Sequence, residues 1–141
     1  MRKQFSNKEI LTYATALVKT FLNSEKEIEL PIKANFYLQK NMKTFIDAAQ
    51  IIEESRLKIG KKYGSLNIEN DTYSITDSDK YEKAKQDLQN LLSLDQILEI
   101  YPIFLSDLKD TKLTTTQMNA IFFMIEEDNE IIDDEEEEVL L

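Results

Sequence analysis

Carboxylates are the side chains whose type and spacing come closest to a chemical site in this sequence. Ten acidic residues fall within the segment 126–138, and no basic residue lies among them. Carboxylate oxygens are ligands that calcium and magnesium prefer, and the candidates of this type are Asp128, Glu130, Asp133 and Asp134. A calcium-binding loop also needs a glycine at its sixth position, and this segment has none. The sequence therefore predicts no specific metal site.

Other catalytic chemistry has few residues to draw on. The chain contains no histidine and no cysteine, which removes imidazole bases, thiol nucleophiles and thiolate zinc sites. Its two glycines, Gly60 and Gly64, are too few for a phosphate-binding loop or a dinucleotide-binding fingerprint. Paired carboxylates such as Glu53 and Glu54 are sequence neighbours, so they do not face each other on a helix. We predict a non-enzymatic protein with no catalytic, cofactor-binding or metal-binding residue.

The charge is concentrated at one end of the chain. The formal net charge is −10, yet residues 1–125 hold 17 acidic and 17 basic residues. We therefore predict two parts, a single helical α+β domain over residues 1–125 and an acidic C-terminal tail over residues 126–141. Because the basic residues of the body are mixed with acids and form no stripe, we expect no direct binding to nucleic acid.

Three interpretations of the acidic tail remain open. It could keep the protein soluble or lie on its own body, for example on Lys58, Lys61 and Lys62. It could recruit a protein partner, with charge steering the tail and apolar residues anchoring it. It could also mimic nucleic acid by placing carboxylates in a cationic channel. The predicted partner-binding residues are Glu130, Ile131, Ile132, Asp133, Asp134, Glu135, Glu136, Glu137, Glu138, Val139, Leu140 and Leu141.

The element that must organise the body is one long helix over about residues 31–63. Apolar residues recur there in steps of four and three, the seam that a helix offers to another helix. The seam residues are Leu38, Met42, Phe45, Ala49, Ile52, Ile59 and Tyr63. The residues that flank and widen it are Ile32, Phe36, Ile46 and Leu57. Pro31 suits the first helical position, and Gly64 suits a left-handed stop.

This helix would be a rod of roughly 50 Å, longer than one small core needs. Its seam could organise an intramolecular bundle, or it could join two copies of the chain as a homo-oligomer. No run of 18 apolar residues predicts a membrane span, and the charged N-terminus lacks the apolar stretch of a secretory signal. We therefore expect a cytoplasmic protein.

Shorter elements surround the long helix. Ser6 with Glu9 forms a capping box for a helix over 7–23, and Thr114 with Gln117 forms another for the last helix. The core-facing residues of that last helix would be Met118, Ile121, Phe122 and Ile125. Alternating apolar residues predict a β-hairpin over 65–76, a helix follows over 79–92, and a strand around 96–101 could join the hairpin as a third strand. The fold class is α+β, mainly helical, a bundle around one long helix with a small antiparallel sheet.

Three stretches carry a resemblance to a known family. They are LPIKANFYLQKNMKTF at 30–45, Lys-Tyr-Gly at 62–64 and KLTTTQMNAIFFMIEE at 112–127. Over about residues 30–127 the chain resembles a family of short, uncharacterised proteins of phages and prophages, chiefly of low-GC Gram-positive bacteria. These stretches are packing and capping patterns, so the resemblance implies no activity and no functional residue.

The resemblance implies a phage-encoded accessory protein in the cytoplasm of a bacterial host. We expect it to bind a protein partner, such as a host factor or a defence system, through the acidic tail and the apolar face of the last helix. The alternative is a structural oligomer, a virion or assembly component joined through the long helix. Removing the tail should leave such an oligomer intact, whereas a tail-driven binder should lose its partner.

Overall fold

A computed structural model describes residues 1–24, 28–67, 69–70 and 72–128. The chain is mainly helical, with one long helix and small two-stranded sheets, which confirms the predicted α+β class. In chain order the elements are β1 (Arg2–Ser6), α1 (Asn7–Leu17), a π-helical segment (Val18–Leu22), α2 (Ile32–Tyr63), β2 (Ser65–Asn67), β3 (Thr72–Ser74), α3 (Ser78–Ser93), β4 (Asp95–Glu99), β5 (Ile103–Phe104), a 3-10 helix (Leu105–Leu108), α4 (Thr115–Ile121), a second 3-10 helix (Phe122–Met124) and β6 (Ile125–Glu126).

The long helix α2 has the predicted extent, but both of its ends differ in detail. Pro31 is the N-cap with an extended ψ of 150°, so the helix begins one residue later, at Ile32. Gly64 ends the helix in an extended conformation, with φ −123° and ψ −177°, and not in the left-handed one that we predicted. Glycine is needed there for space, because a Cβ at this position would lie 2.8 Å from the Ser74 carbonyl oxygen.

Four residues of the predicted seam of α2 lie in the core of the protein, and the other three, Ala49, Ile59 and Tyr63, are half-buried. Leu38, Met42, Phe45 and Ile52 are at most 2% exposed, and they are covered by other elements of the same chain. Phe45 lies at the centre, with its ring centroid 5.1 Å from Phe5 and 4.9 Å from Phe123. These four seam residues therefore pack within a single chain.

Strand β4 pairs with the N-terminal strand β1, and not with the hairpin. The two strands run antiparallel, with Arg2 opposite Glu99 and Ser6 opposite Asp95. The hairpin of β2 and β3 forms as predicted but stays two-stranded, so the suggested third strand is wrong. The pairing with β1 places Phe5 in the core, and the buried Asn7 then links α1 to α3 and β4, since its amide donates to Leu91 O and accepts from Gln96.

Local capping signals agree with the structure. The Ser6–Glu9 and Thr114–Gln117 capping boxes are both formed, and the Asp77 side chain caps α3 by accepting from Lys80 N–H. The first helix covers the predicted span once its π-helical continuation to Leu22 is included.

The last helix is shorter than its apolar pattern predicted. Helix α4 ends at Ile121, and a 3-10 turn then rotates the following side chains. Phe122 is consequently 69% exposed, which corrects its predicted core position, whereas Phe123 packs in the aromatic core and Met124 is fully buried. Strand β6 pairs parallel with β5, so the folded body continues past residue 125.

Candidate functional site

Aromatic rings and lysines lie together on the first turns of α2 and on the segment that follows β4. We call this surface the aromatic–lysine face, and it consists of Lys33, Phe36, Tyr37, Lys40, Tyr101 and Phe104. Lys33 Nζ lies 5.8 Å from the Tyr37 ring centroid and 5.9 Å from that of Phe104. Lys40 Nζ lies 5.9 Å from the Phe36 centroid and 5.6 Å from the Tyr101 centroid. These distances are within the range of a cation–π attraction.

Helix geometry explains why these side chains share a surface. Residues four apart are neighbours on a helix, so Ile32, Phe36 and Lys40 follow one ridge of α2. Lys33 and Tyr37 follow the adjacent ridge, which leads to Asn41. The first ridge is open to solvent, since Ile32 is 90% exposed and Phe36 is 57% exposed.

The buried Asn41 positions the second half of the face. Its side-chain amide nitrogen donates to Tyr101 O at 2.9 Å, and its Oδ1 accepts from Tyr101 N–H at 2.8 Å. Asn41 is fully buried, so this pair of bonds fixes the Tyr101 backbone against α2 in a place that water does not reach. The Tyr101 ring centroid is thereby held 5.3 Å from that of Tyr37 and under Lys40.

The C-terminal end of the folded body reaches the same region. The Asp128 carboxylate accepts hydrogen bonds from Ser106 N–H at 2.9 Å and from the Ser106 hydroxyl at 2.5 Å. These bonds, with a smaller contribution from the charge of Lys33, hold the pKa of Asp128 below its ordinary value. Lys33 also lies 3.9 Å from an Asp107 oxygen, so Asp128, Asp107 and Lys33 are parts of one charge cluster.

Replacing Ser106 by alanine is expected to raise the pKa of Asp128 toward its ordinary value of 3.8. The lowered pKa means that folding favours the charged carboxylate. The resulting stabilisation is present above pH 3.8 and is lost as the pH falls through the lowered pKa. An NMR titration of the Asp128 carboxyl carbon measures the pKa in the wild type and in each variant. Lys33→Gln should raise the pKa less, and a larger rise in Lys33→Gln than in Ser106→Ala would contradict this assignment.

The face is suited to binding a polypeptide. Exposed aromatic and branched side chains supply the apolar contact area that dominates binding energy, and lysines favour an acidic partner. Lys40 has no carboxylate within 4.0 Å in the part of the chain that the structure describes, so its charge is available. Within those same residues, no three histidine, cysteine or acidic side chains converge to hold a metal ion.

The predicted partner-binding residues, Glu130 to Leu141, lie outside the described residues, and the suggested calcium ligands beyond Asp128 lie there too. Lys58, Lys61 and Lys62, suggested as a docking place for the tail, are exposed at the opposite end of α2. Sequence reasoning placed Ile32 and Phe36 beside the seam but missed Asn41 and Tyr101. The spacing of Ile32, Phe36 and Lys40 was the available signal for the face, because it runs beside the seam.

Comparisons with protein-family models, with curated proteins and with solved structures found no match to this chain. The resemblance to phage and prophage proteins therefore stays a prediction. Among the described residues, none of the helices combines the length and the apolar character needed to cross a membrane.

Proposed function

We propose that this chain is a non-enzymatic accessory protein, encoded by a phage or prophage, that binds a protein partner through its aromatic–lysine face. The observation that carries the proposal is the open ridge of Ile32 and Phe36, 90% and 57% exposed, flanked by lysines. The partner segment that fits this surface is acidic and carries aliphatic side chains, since it must satisfy both the charges and the apolar area.

The energetics favour a few strong contacts. Aromatic anchors in the centre of an interface supply most of its binding energy. Phe36 would lose over half of its surface to a partner. Its ring centroid lies 6.2 Å from that of Tyr37, which in turn lies 5.3 Å from that of Tyr101. The lysines over these rings would add ionic attraction to acids of the partner, each pair worth about 0.2–1 kcal/mol at an exposed site. Preorganisation by Asn41 lowers the entropic cost of binding.

The acidic tail supports a second mode of partner binding. Residues 126–138 carry ten acids and no base, and the chain ends in Val139, Leu140 and Leu141. In this mode the tail enters a basic groove of a host factor or a defence protein, or occupies a channel meant for nucleic acid.

A structural oligomer is the alternative from a different class. The seam residues Leu38, Met42, Phe45 and Ile52 are buried within one chain, so such an assembly would need other residues of that helix. Ile51 and Leu57 are the remaining candidates, at 63% and 49% exposure.

Affinity capture from host lysate with matched full-length variants tests the proposal. Phe36→Ser removes the central ring of the face. Ile51→Ser is the control, because Ile51 lies on the same helix and has similar exposure, 63% against 57%. A third variant changes Glu135, Glu136, Glu137 and Glu138 to glutamine. Each variant is compared at low and high salt, since salt screens ionic attraction.

We expect a partner that binds the wild type and Ile51→Ser, is lost with Phe36→Ser and is weakened by salt. A partner that survives Phe36→Ser but is lost with the glutamine variant would move recognition to the acidic tail. If the purified protein has a mass in solution above that of one chain, and only Ile51→Ser lowers it to that of one chain, the structural oligomer would be supported instead.

A further inference from the structure

We propose that the chain's own acidic C-terminal segment, residues 129–141, binds the aromatic–lysine face of the same molecule and competes there with the partner. The regulatory meaning rests on the proposed function, whereas the intramolecular contact can be tested without a partner. Three observations carry the inference: where the segment starts, how far it reaches, and what chemistry it shares with the face.

The segment starts beside the face. Asp128, the last described residue, accepts two hydrogen bonds from Ser106 and interacts electrostatically with Lys33. Glu126 is held as well, since its carboxylate lies 3.6 Å from Lys3 Nζ and its backbone belongs to β6. The segment is therefore attached to a fixed point, Asp128, that lies near one lysine of the face.

The length of the segment favours this face over the other lysine cluster. Thirteen residues span at most about 43–47 Å when fully extended. Ile32 and Lys40 are eight residues apart on α2, which corresponds to about 12 Å along the helix. Lys62 is 29 residues from Lys33, or about 44 Å along the helix, so the tail would need full extension to reach it. A shorter span also costs less loop-closure entropy.

The two surfaces are complementary in charge and in apolar character. The segment 129–141 has seven acids, no base and five aliphatic residues, namely Ile131, Ile132, Val139, Leu140 and Leu141. The face offers Lys40, which is without a carboxylate neighbour in the described part of the chain, and Lys33, whose contact with Asp107 is long at 3.9 Å. It also offers the apolar surface of Ile32 and Phe36. Acids and aliphatic groups of the tail thus have matching sites within reach.

Tethering makes the internal contact competitive even if it is intrinsically weak. A short covalent connection gives an effective concentration in the millimolar range. A partner segment of similar chemistry must displace the tail. Its apparent affinity is therefore its intrinsic affinity multiplied by the fraction of molecules whose face is open. Only a partner that binds more strongly, or that holds the tail elsewhere, gains access to Phe36.

A spin label on the full-length chain tests the contact. The protein has no cysteine, so Val139→Cys gives one labelling position and leaves Leu140 and Leu141 in place. We expect loss of the backbone amide signals of Phe36, Lys40 and Tyr101 in NMR spectra, with the amides of Lys58 to Lys62 unaffected. The loss should disappear in 1 M salt, where the screening length is about 3 Å. It should also disappear in Lys33→Gln/Lys40→Gln, whereas Lys58→Gln/Lys61→Gln is the control that should keep it.

Signal loss at Lys58 to Lys62, or at no described residue, would overturn the proposal. Equal signal loss in isotope-enriched chains without the spin label, when spin-labelled chains are added to them, would also overturn it, because the contact would then join two molecules. Failure of the proposed function would be seen in a different experiment, as a partner that Phe36→Ser still captures. If both hold, the glutamine variant of residues 135–138 should capture more partner than the wild type.

Discussion

Phe45→Ala is expected to destabilise the protein by about 3–5 kcal/mol, the range for removing a buried aromatic side chain. Phe45 has no exposed surface, and its ring contacts those of Phe5, Tyr13 and Phe123 from three other parts of the chain. The loss would therefore leave a cavity where β1, α1 and the last 3-10 turn meet. Close packing around α2 limits how far these elements can collapse into it.

Phe36→Ala is the matched control for Phe45→Ala, because the same side chain is removed from the same helix. Phe36 is 57% exposed, so its loss should cost less than about 1 kcal/mol. Urea denaturation measures both values, and the slope of the transition should be unchanged in Phe36→Ala. Since Phe45→Ala could remove most of a total stability of about 5–15 kcal/mol, Phe45→Leu provides a milder substitution at the same position. Equal costs for Phe45→Ala and Phe36→Ala would contradict the assigned core.

Asn41→Ala is expected to cost about 2–4 kcal/mol, because it leaves two backbone groups of Tyr101 without their partner. The Asn41 amide pairs with both Tyr101 N–H and Tyr101 O, at 2.8 Å and 2.9 Å. Removing a side chain that satisfies a donor and an acceptor at once costs more than removing an ordinary surface group. The same change should loosen the Tyr101 ring from Tyr37 and Lys40, and so weaken the aromatic–lysine face.

Asn35→Ala is the control for Asn41→Ala, since Asn35 is an exposed asparagine on the same helix. Alanine is a better helix former than asparagine, so this variant should be neutral or slightly more stable. Thermal denaturation measures stability, and hydrogen exchange of the Tyr101 amide measures the lost bond. Exchange at Tyr101 that is unchanged in Asn41→Ala would show that Asn41 does not hold this segment.

Local signals predicted most of the helical architecture. The bounds of α2 and α3 and both complete capping boxes depend on residues within a few positions of each other. Apolar periodicity also identified Leu38, Met42, Phe45 and Ile52 as one buried stripe, because a helix turns by a constant angle per residue. These features could be predicted because the interactions that form them join residues close together in the sequence.

Contacts between distant residues were not predictable in the same way. The pairing of β1 with β4 places Arg2 opposite Glu99. The alternation of apolar and polar residues in a strand shows which face is buried, but it does not identify the strand with which it pairs. The exposure of Phe122 was missed for a related reason, since the 3-10 turn after Ile121 changes the angle at which side chains leave the chain.

The sequence by itself determined the helical segments, their caps and the acidic C-terminal end, because each follows from neighbouring residues. Only the tertiary structure decided that the aromatic–lysine face exists. It brings Tyr101 to α2 through Asn41, 60 positions earlier in the chain, and it holds Asp128 at Ser106, 22 positions away. Burial makes these few hydrogen bonds specific, since a buried polar group must find a partner wherever the packed chain provides one.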